Sequence, residues 1–359
     1  QSELATTVGE FGYSLHKDPY NPSKWRNSGH LKLTYSGLYP VFEASLDIND
    51  RSARQMSTTA YIDGNMVRME IASRELGVPC ISGSLTTYIP FNFSEGGWYK
   101  GFIPKLSYHF SNDMFNSNIA VMSYDREAGS VAGAPTLIGV KKGKNTFRQS
   151  ILGSVRGYTM LGTPNSAVYP KWGIGLELGA MYNIESSSIL SPMGYAYAYG
   201  YIPGIMPEHG IRLTATHQTS LNHKAYFSQS ITNILPRGFS SYGAALSWLS
   251  IRNHDLTRIT AEYAAPVFIG DISIWGRMFA IKRLVLVPHL DYTFTGNGSL
   301  LSAGGSLILD LHSILAFDWP CSIGVTASYN GGSAFNQVSQ GIGIRMKHYH
   351  VGPTFNVTF

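Results

Sequence analysis

The residue best equipped for chemistry is an arginine in a turn. Leu235-Pro236-Arg237-Gly238-Phe239 lies in a long connection, and the strand-like run Arg258–Val267 follows it. Glycine lets a backbone turn sharply, and a planar guanidinium fork pairs with a carboxylate through two hydrogen bonds. The alternation of the strands that follow puts Glu262, Asp291 and Asp310 on the inward side as acidic partners for Arg237. On the tripeptide alone, the plainer reading is a solvated arginine in a surface loop.

Nothing else assembles a reaction centre. No Gly-x-Ser-x-Gly, His-Glu-x-x-His or Walker-type loop occurs. His348 and His350 flank Tyr349, a spacing that puts both imidazoles on one strand face. With no carboxylate or third ligand close by, two rim histidines are expected rather than a metal pair. Cys80 and Cys321 are far apart and have no Cys-x-x-Cys spacing, so unlinked thiols are expected, with a disulfide as the alternative in an oxidising compartment. No enzyme activity, metal or cofactor is therefore expected.

The elements that must hold these residues are strands. Phe42, Ala44, Leu46 and Ile48 interleave with Glu43, Ser45, Asp47 and Asn49, and Ile174, Leu176 and Leu178 interleave with Gly175, Glu177 and Gly179. Period two places successive side chains on opposite faces of a sheet. The pattern recurs from end to end and closes on the dyad Phe355, Val357, Phe359, an aromatic C-terminal strand. It predicts about 14–16 strands of roughly ten residues, with 16 preferred, as in transmembrane barrels. Long connections are expected over 111–145 and 222–240, and tight turns at Ser36–Pro40 and Gly296-Asn297-Gly298. The stretch Asp271–Ile281 suits a short helical turn, and 338–359 reads as one strand with an inserted residue near His348. Tyr195, Tyr197, Tyr199 and Tyr201 share a face; an interfacial girdle or lipid-facing stripe is favoured, with a lumen stacking ladder or plain cross-strand packing as alternatives.

Composition supports a membrane solvent. Charged residues are 14% of the 359, against about 25% in soluble domains, while aromatics reach 13%. No run approaches the ~18 apolar residues of a spanning helix, so any crossing must be a closed sheet. The net charge of +5 has no clustered basic stripe behind it; Lys141-Lys142-Gly143-Lys144 is short and interrupted, and nucleic acid is not an expected partner. No signal peptide is visible at Gln1, as in a mature chain or an excised domain. One all-β antiparallel barrel over 1–359 is the expected organisation.

The Arg-Gly-Phe turn, the strand with Glu262-Tyr263 and Pro266, the Asp291-Tyr292 strand and the final Phe359 fall in the order seen in BamA-type outer-membrane assembly and secretion barrels. The chain more closely resembles the C-terminal barrels of TolB-like propeller–barrel outer-membrane proteins. The matching segments are Leu33–Val41, Val168–Gly173, Leu235–Phe239, Ala261–Val267 and Ile281–Leu284. The resemblance implies that Arg237, Gly238 and Phe239 form a lumen-inserted tip whose arginine meets an acidic residue of the wall. It also implies the outer membrane of a Gram-negative bacterium, a lipid surround, and outer-membrane or periplasmic protein partners in assembly, transport or anchoring. Neither periplasmic receiving repeats nor a propeller occurs within the 359 residues. Two alternatives stand beside that reading. One is a passive porin, with Lys32, Lys105, Arg212, Arg345 and Lys347 set against Glu43, Asp47 and Glu177 to favour anions mildly. The other is a structural docking subunit without transport.

Overall fold

The computed structural model describes residues 6–18, 21–63, 66–112, 114–123, 136–141, 148–164, 166–184, 191–222, 231–239, 245–246, 249, 253–274, 279–296, 298–314, 321–342 and 345–357. Within these residues the chain is all-β, with sixteen strands of six residues or more and one of two residues. Only β3 and β7 pair in parallel among the registers given below; the rest are antiparallel. The chain groups into two compact units, 1–88 with 106–152 and 182–186, and 89–105 with 153–181 and 187–359.

The first unit is a meander of β1 (Thr7–Asp18), β2 (Asn21–Tyr35), β3 (Val41–Asp63) and β4 (Met66–Tyr88). β3 and β4 are 23 residues each, about twice a transmembrane strand of 9–11 residues. Their register is regular from Val41↔Tyr88 to Ile48↔Ile81, shifts between Ile48 and Arg54, and resumes to Asp63↔Met66. Beyond the shift, β7 (Met114–Ser123) lies beside β3 and β8 (Thr136–Lys141) beside β7, giving a distal sheet ordered β4–β3–β7–β8. The long loop expected over 111–145 thus holds two strands, because distal β3 offers unpaired backbone that β7 satisfies.

In the second unit, β5 (Phe91–Asn92) pairs with β6 (Trp98–Ser111), and Gly162, just past β9 (Arg148–Leu161), donates its N–H to the carbonyl of Gly97. β10 (Gly173–Asn183) through β17 (Tyr349–Val357) form an uninterrupted antiparallel meander. Its members are β11 (Met193–Pro203), β12 (Gly210–Ser220), β13 (Asp255–Ile274), β14 (Phe279–Thr295), β15 (Gly298–Ile314) and β16 (Cys321–Gly331). β6, β9 and β10 contribute residues to both units.

The two sheet faces are inverted relative to a water-soluble protein. The row Leu286–Leu307–Val325 is apolar and exposed, as are Ile174, Leu213 and Ile259. On the opposite face Asp291, Thr293, Ser302 and Asn330 are at most 1% exposed. Large apolar side chains outside and polar ones buried suit a wall with hydrocarbon on one side.

Three expectations need correction. Asp271–Ile281 holds no helix in its described residues: Ile272↔Ile281 and Ile274↔Phe279 are sheet pairs, since hairpin pairing overrides a weak local pattern. The span 338–359 is not one strand. It contains the helix α1 (Phe335–Ile342), whose Phe335, Val338 and Ile342 follow helical spacing, and then β17. The four tyrosines of β11 are not on the apolar face. They lie on the polar one, beside Glu177, Arg156 and Arg212. Glycines make this packing possible: a Cβ at Gly175 or Gly179 would run into the rings of Tyr199 and Tyr195.

Candidate functional site

The site is built from one row of four neighbouring strands. Register aligns Thr260 of β13 with Asp291 of β14, Ser302 of β15 and Asn330 of β16. All four side chains are on the buried polar face. The connection between β12 and β13 lays a single 3-10 turn, Arg237–Phe239, across this row.

Each residue of the turn is held separately. The backbone N–H of Arg237 donates to Asp291 Oδ2 at 2.8 Å, and its Nε lies 3.4 Å from the same oxygen. The guanidinium Nη2 is ion-paired with Glu262 Oε1. The Gly238 N–H donates to Ser302 Oγ at 3.2 Å, and Asn330 Nδ2 donates to the Gly238 carbonyl at 3.0 Å. A Cβ at 238 would collide with the Asn330 amide, which is 1% exposed and cannot move without releasing that carbonyl. Phe239 is fully buried, edge-on to Phe335 of α1 with centroids 5.9 Å apart.

Three arginines share two carboxylates around the turn. Arg258 Nη2 reaches Asp291 Oδ2 at 3.1 Å, and Arg212 Nη1 lies 3.8 Å from Glu262 Oε2. Buried carboxylates persist in a protein interior only when paired in this way. Burial pushes the Arg237 pKa below its usual value while the Asp291 charge opposes that shift; a guanidinium remains charged regardless. Tyr169, from the connection between β9 and β10, donates its hydroxyl to Glu262 Oε2 at 2.6 Å. Burial raises the Tyr169 pKa, which keeps the phenol protonated as a donor.

The acidic candidates thus separate. Glu262 and Asp291 both meet Arg237. Asp310 does not share that role. It sits opposite Arg283 in the β14–β15 register and binds its Nε at 2.5 Å.

Toward the strand ends the polar face turns apolar. Leu256, Leu300, Ile234, Leu235, Phe239, Phe335 and Val338 form one buried cluster, with Ala245, Leu249, Ala334 and Met346 completing it. Segments from two connections, β12–β13 and β16–β17, therefore share a small core of their own. Beside it lies a cavity of about 420 Å³ lined by Arg212, Arg237, Arg258, Glu177, Tyr197 and Thr260, among others.

The remaining sequence candidates are placed as follows. Phe355 and Val357 lie on β17 opposite Ile323 and Cys321, and Phe359 is outside the described residues. His348 stacks on Phe335 at 4.3 Å, with Nδ1 2.9 Å from the Asn330 carbonyl, so it covers the edge of the apolar cluster from an exposed position. Cys80 and Cys321 are buried thiols that are not joined in a disulfide. Among the described residues no group of three His, Cys, Asp or Glu is placed to hold a metal ion. Sequence reasoning did not assign roles to Tyr169, Arg258, Ser302 or Asn330. For Arg258, Ser302 and Asn330 the only signal was inward parity, shared with many neighbours; Tyr169, in a connection, had no strand parity.

Comparison with known proteins assigns no family. No protein-family description matches the chain, and no curated protein matches it.

Proposed function

We propose that the chain is an integral outer-membrane β-barrel of the BamA-like type from a Gram-negative bacterium. Its lumen is occupied by its own β12–β13 and β16–β17 connections. It works in assembly, transport or anchoring of other proteins at the outer membrane, as part of a complex, and carries out no catalysis. The observation that carries this reading is the Arg237–Gly238 turn fastened across the Thr260–Asp291–Ser302–Asn330 row, with an apolar core above it. A diffusion pore for solutes has no use for a buried apolar core within its bore, whereas a plugged wall that handles or holds proteins does. The exposed apolar rows support lipid as the surrounding solvent.

Planar-bilayer recording tests the plug. The wild-type chain should show only rare, brief openings, and the double variant E262Q/D291N should conduct more often. A large, steady pore in the wild type would favour the porin reading. The docking-subunit reading draws on the distal β4–β3–β7–β8 sheet, which offers strand edges away from the wall. Chemical crosslinking in native membranes separates the two protein-handling roles: constant stoichiometric partners indicate anchoring, and a changing set of clients indicates assembly or transport.

A further inference from the structure

The apolar face of the first unit carries a hollow of about 570 Å³, within the ~300–1,000 Å³ span of small-molecule sites. Its origin is a pair of small residues among large ones. Register aligns Leu33, Ala44 and Leu85 in one row, and Tyr35, Phe42 and Thr87 in the next. Leu106 of β6 closes one side. All the large members are substantially exposed, Leu85 by 57% and Leu106 by 53%. Ala44 and Thr87 form the floor, because neither fills the space that its neighbours define.

Two further facts indicate what fills it. The hollow begins one residue from the end of the β3–β4 ladder at Val41↔Tyr88, beside the short Ser36–Pro40 turn that links β2 and β3. Short turns mark the periplasmic side of such barrels, and aromatic rings such as Tyr35 and Phe42 mark the interface. In addition, the hydroxyl of Thr87 is buried with no hydrogen-bond partner, an unfavourable state for a polar group in hydrocarbon. Thr87 itself lines the hollow, and its hydroxyl has three staggered χ1 positions open to it in principle.

We infer that this hollow is a specific phospholipid site. One acyl chain lies over Ala44 between Leu33 and Leu85, and its ester carbonyl accepts a hydrogen bond from Thr87. The lipid belongs to the periplasm-facing leaflet. The inference rests on the membrane-spanning reading above, and it goes further by naming one retained lipid rather than a general annulus.

Native mass spectrometry of the full chain, exchanged from detergent in the presence of dioleoylphosphatidylethanolamine, tests it. The wild type should retain one lipid through activation that strips the rest. A44L, which fills the floor, should lose that species at least tenfold, while A198L on the apolar face of β11 should keep it. T87V should weaken retention by up to about tenfold, the value of one net hydrogen bond. Heat-modifiable gel migration checks that each variant is folded. Absence of a retained lipid in the wild type, equal retention by A44L, or a detergent molecule held in its place overturns the proposal. A chain that is monodisperse without detergent overturns the membrane reading itself, which is a separate outcome.

Discussion

Asp291 is the residue on which the turn depends most. It is fully buried and receives the Arg237 backbone N–H, the Arg237 side chain and Arg258. Removing one member of a buried ion pair strands the others, at about 3–5 kcal/mol. D291N should therefore lower the urea midpoint of unfolding in detergent and make the 231–239 segment cleavable by trypsin at Arg237. G238A should do so through sterics alone, at roughly 1–3 kcal/mol, the range of overpacked sites. D310N should leave trypsin resistance at Arg237 unchanged, since its partner is Arg283. The division among these acids was only half legible in the sequence. Parity gives the face of Asp291 and Asp310, but the row depends on register. Ser302 and Asp310 are eight residues apart on β15, roughly 26 Å at about 3.3 Å per residue. No single-sequence pattern fixes that offset.

At the scale of elements, the apolar cluster joins segments that are distant in the chain. Phe239 and Phe335 meet edge-on, and His348 stacks behind. F335A should cost about 3–5 kcal/mol, the usual range for a buried phenylalanine. The gel-migration transition should move to lower temperature, and β17 register should be unaffected. Most strands of the β10–β17 meander were legible because period-two alternation survives wherever one face is apolar. The exceptions have a common cause. In 338–359 the residues Ile342, Ile344 and Met346 alternate in sequence, but Ile342 ends α1 and Met346 is buried in the apolar cluster beyond it, so the period-two spacing there does not come from a strand. In β11 the tyrosines are amphipathic, and their direction is decided by Gly175 and Gly179 on the next strand, which leave room for rings on the polar face. Composition alone favoured the interface; the glycine partners were visible only once β10 and β11 were in register.

For the molecule as a whole, the low charge and the exposed apolar rows fit the non-aqueous surround proposed above. Without detergent or bilayer the chain should aggregate, and sedimentation in plain buffer checks this. Lipid-exposed open sheet edges do not occur in hydrocarbon, so the proposed membrane reading puts the β4–β3–β7–β8 part outside the bilayer. The ten residues Arg54–Asp63 of β3 alone extend about 33 Å at ~3.3 Å per residue. On the outer-membrane reading proposed above, this stretch should therefore be open to an antibody raised against it and added to intact cells.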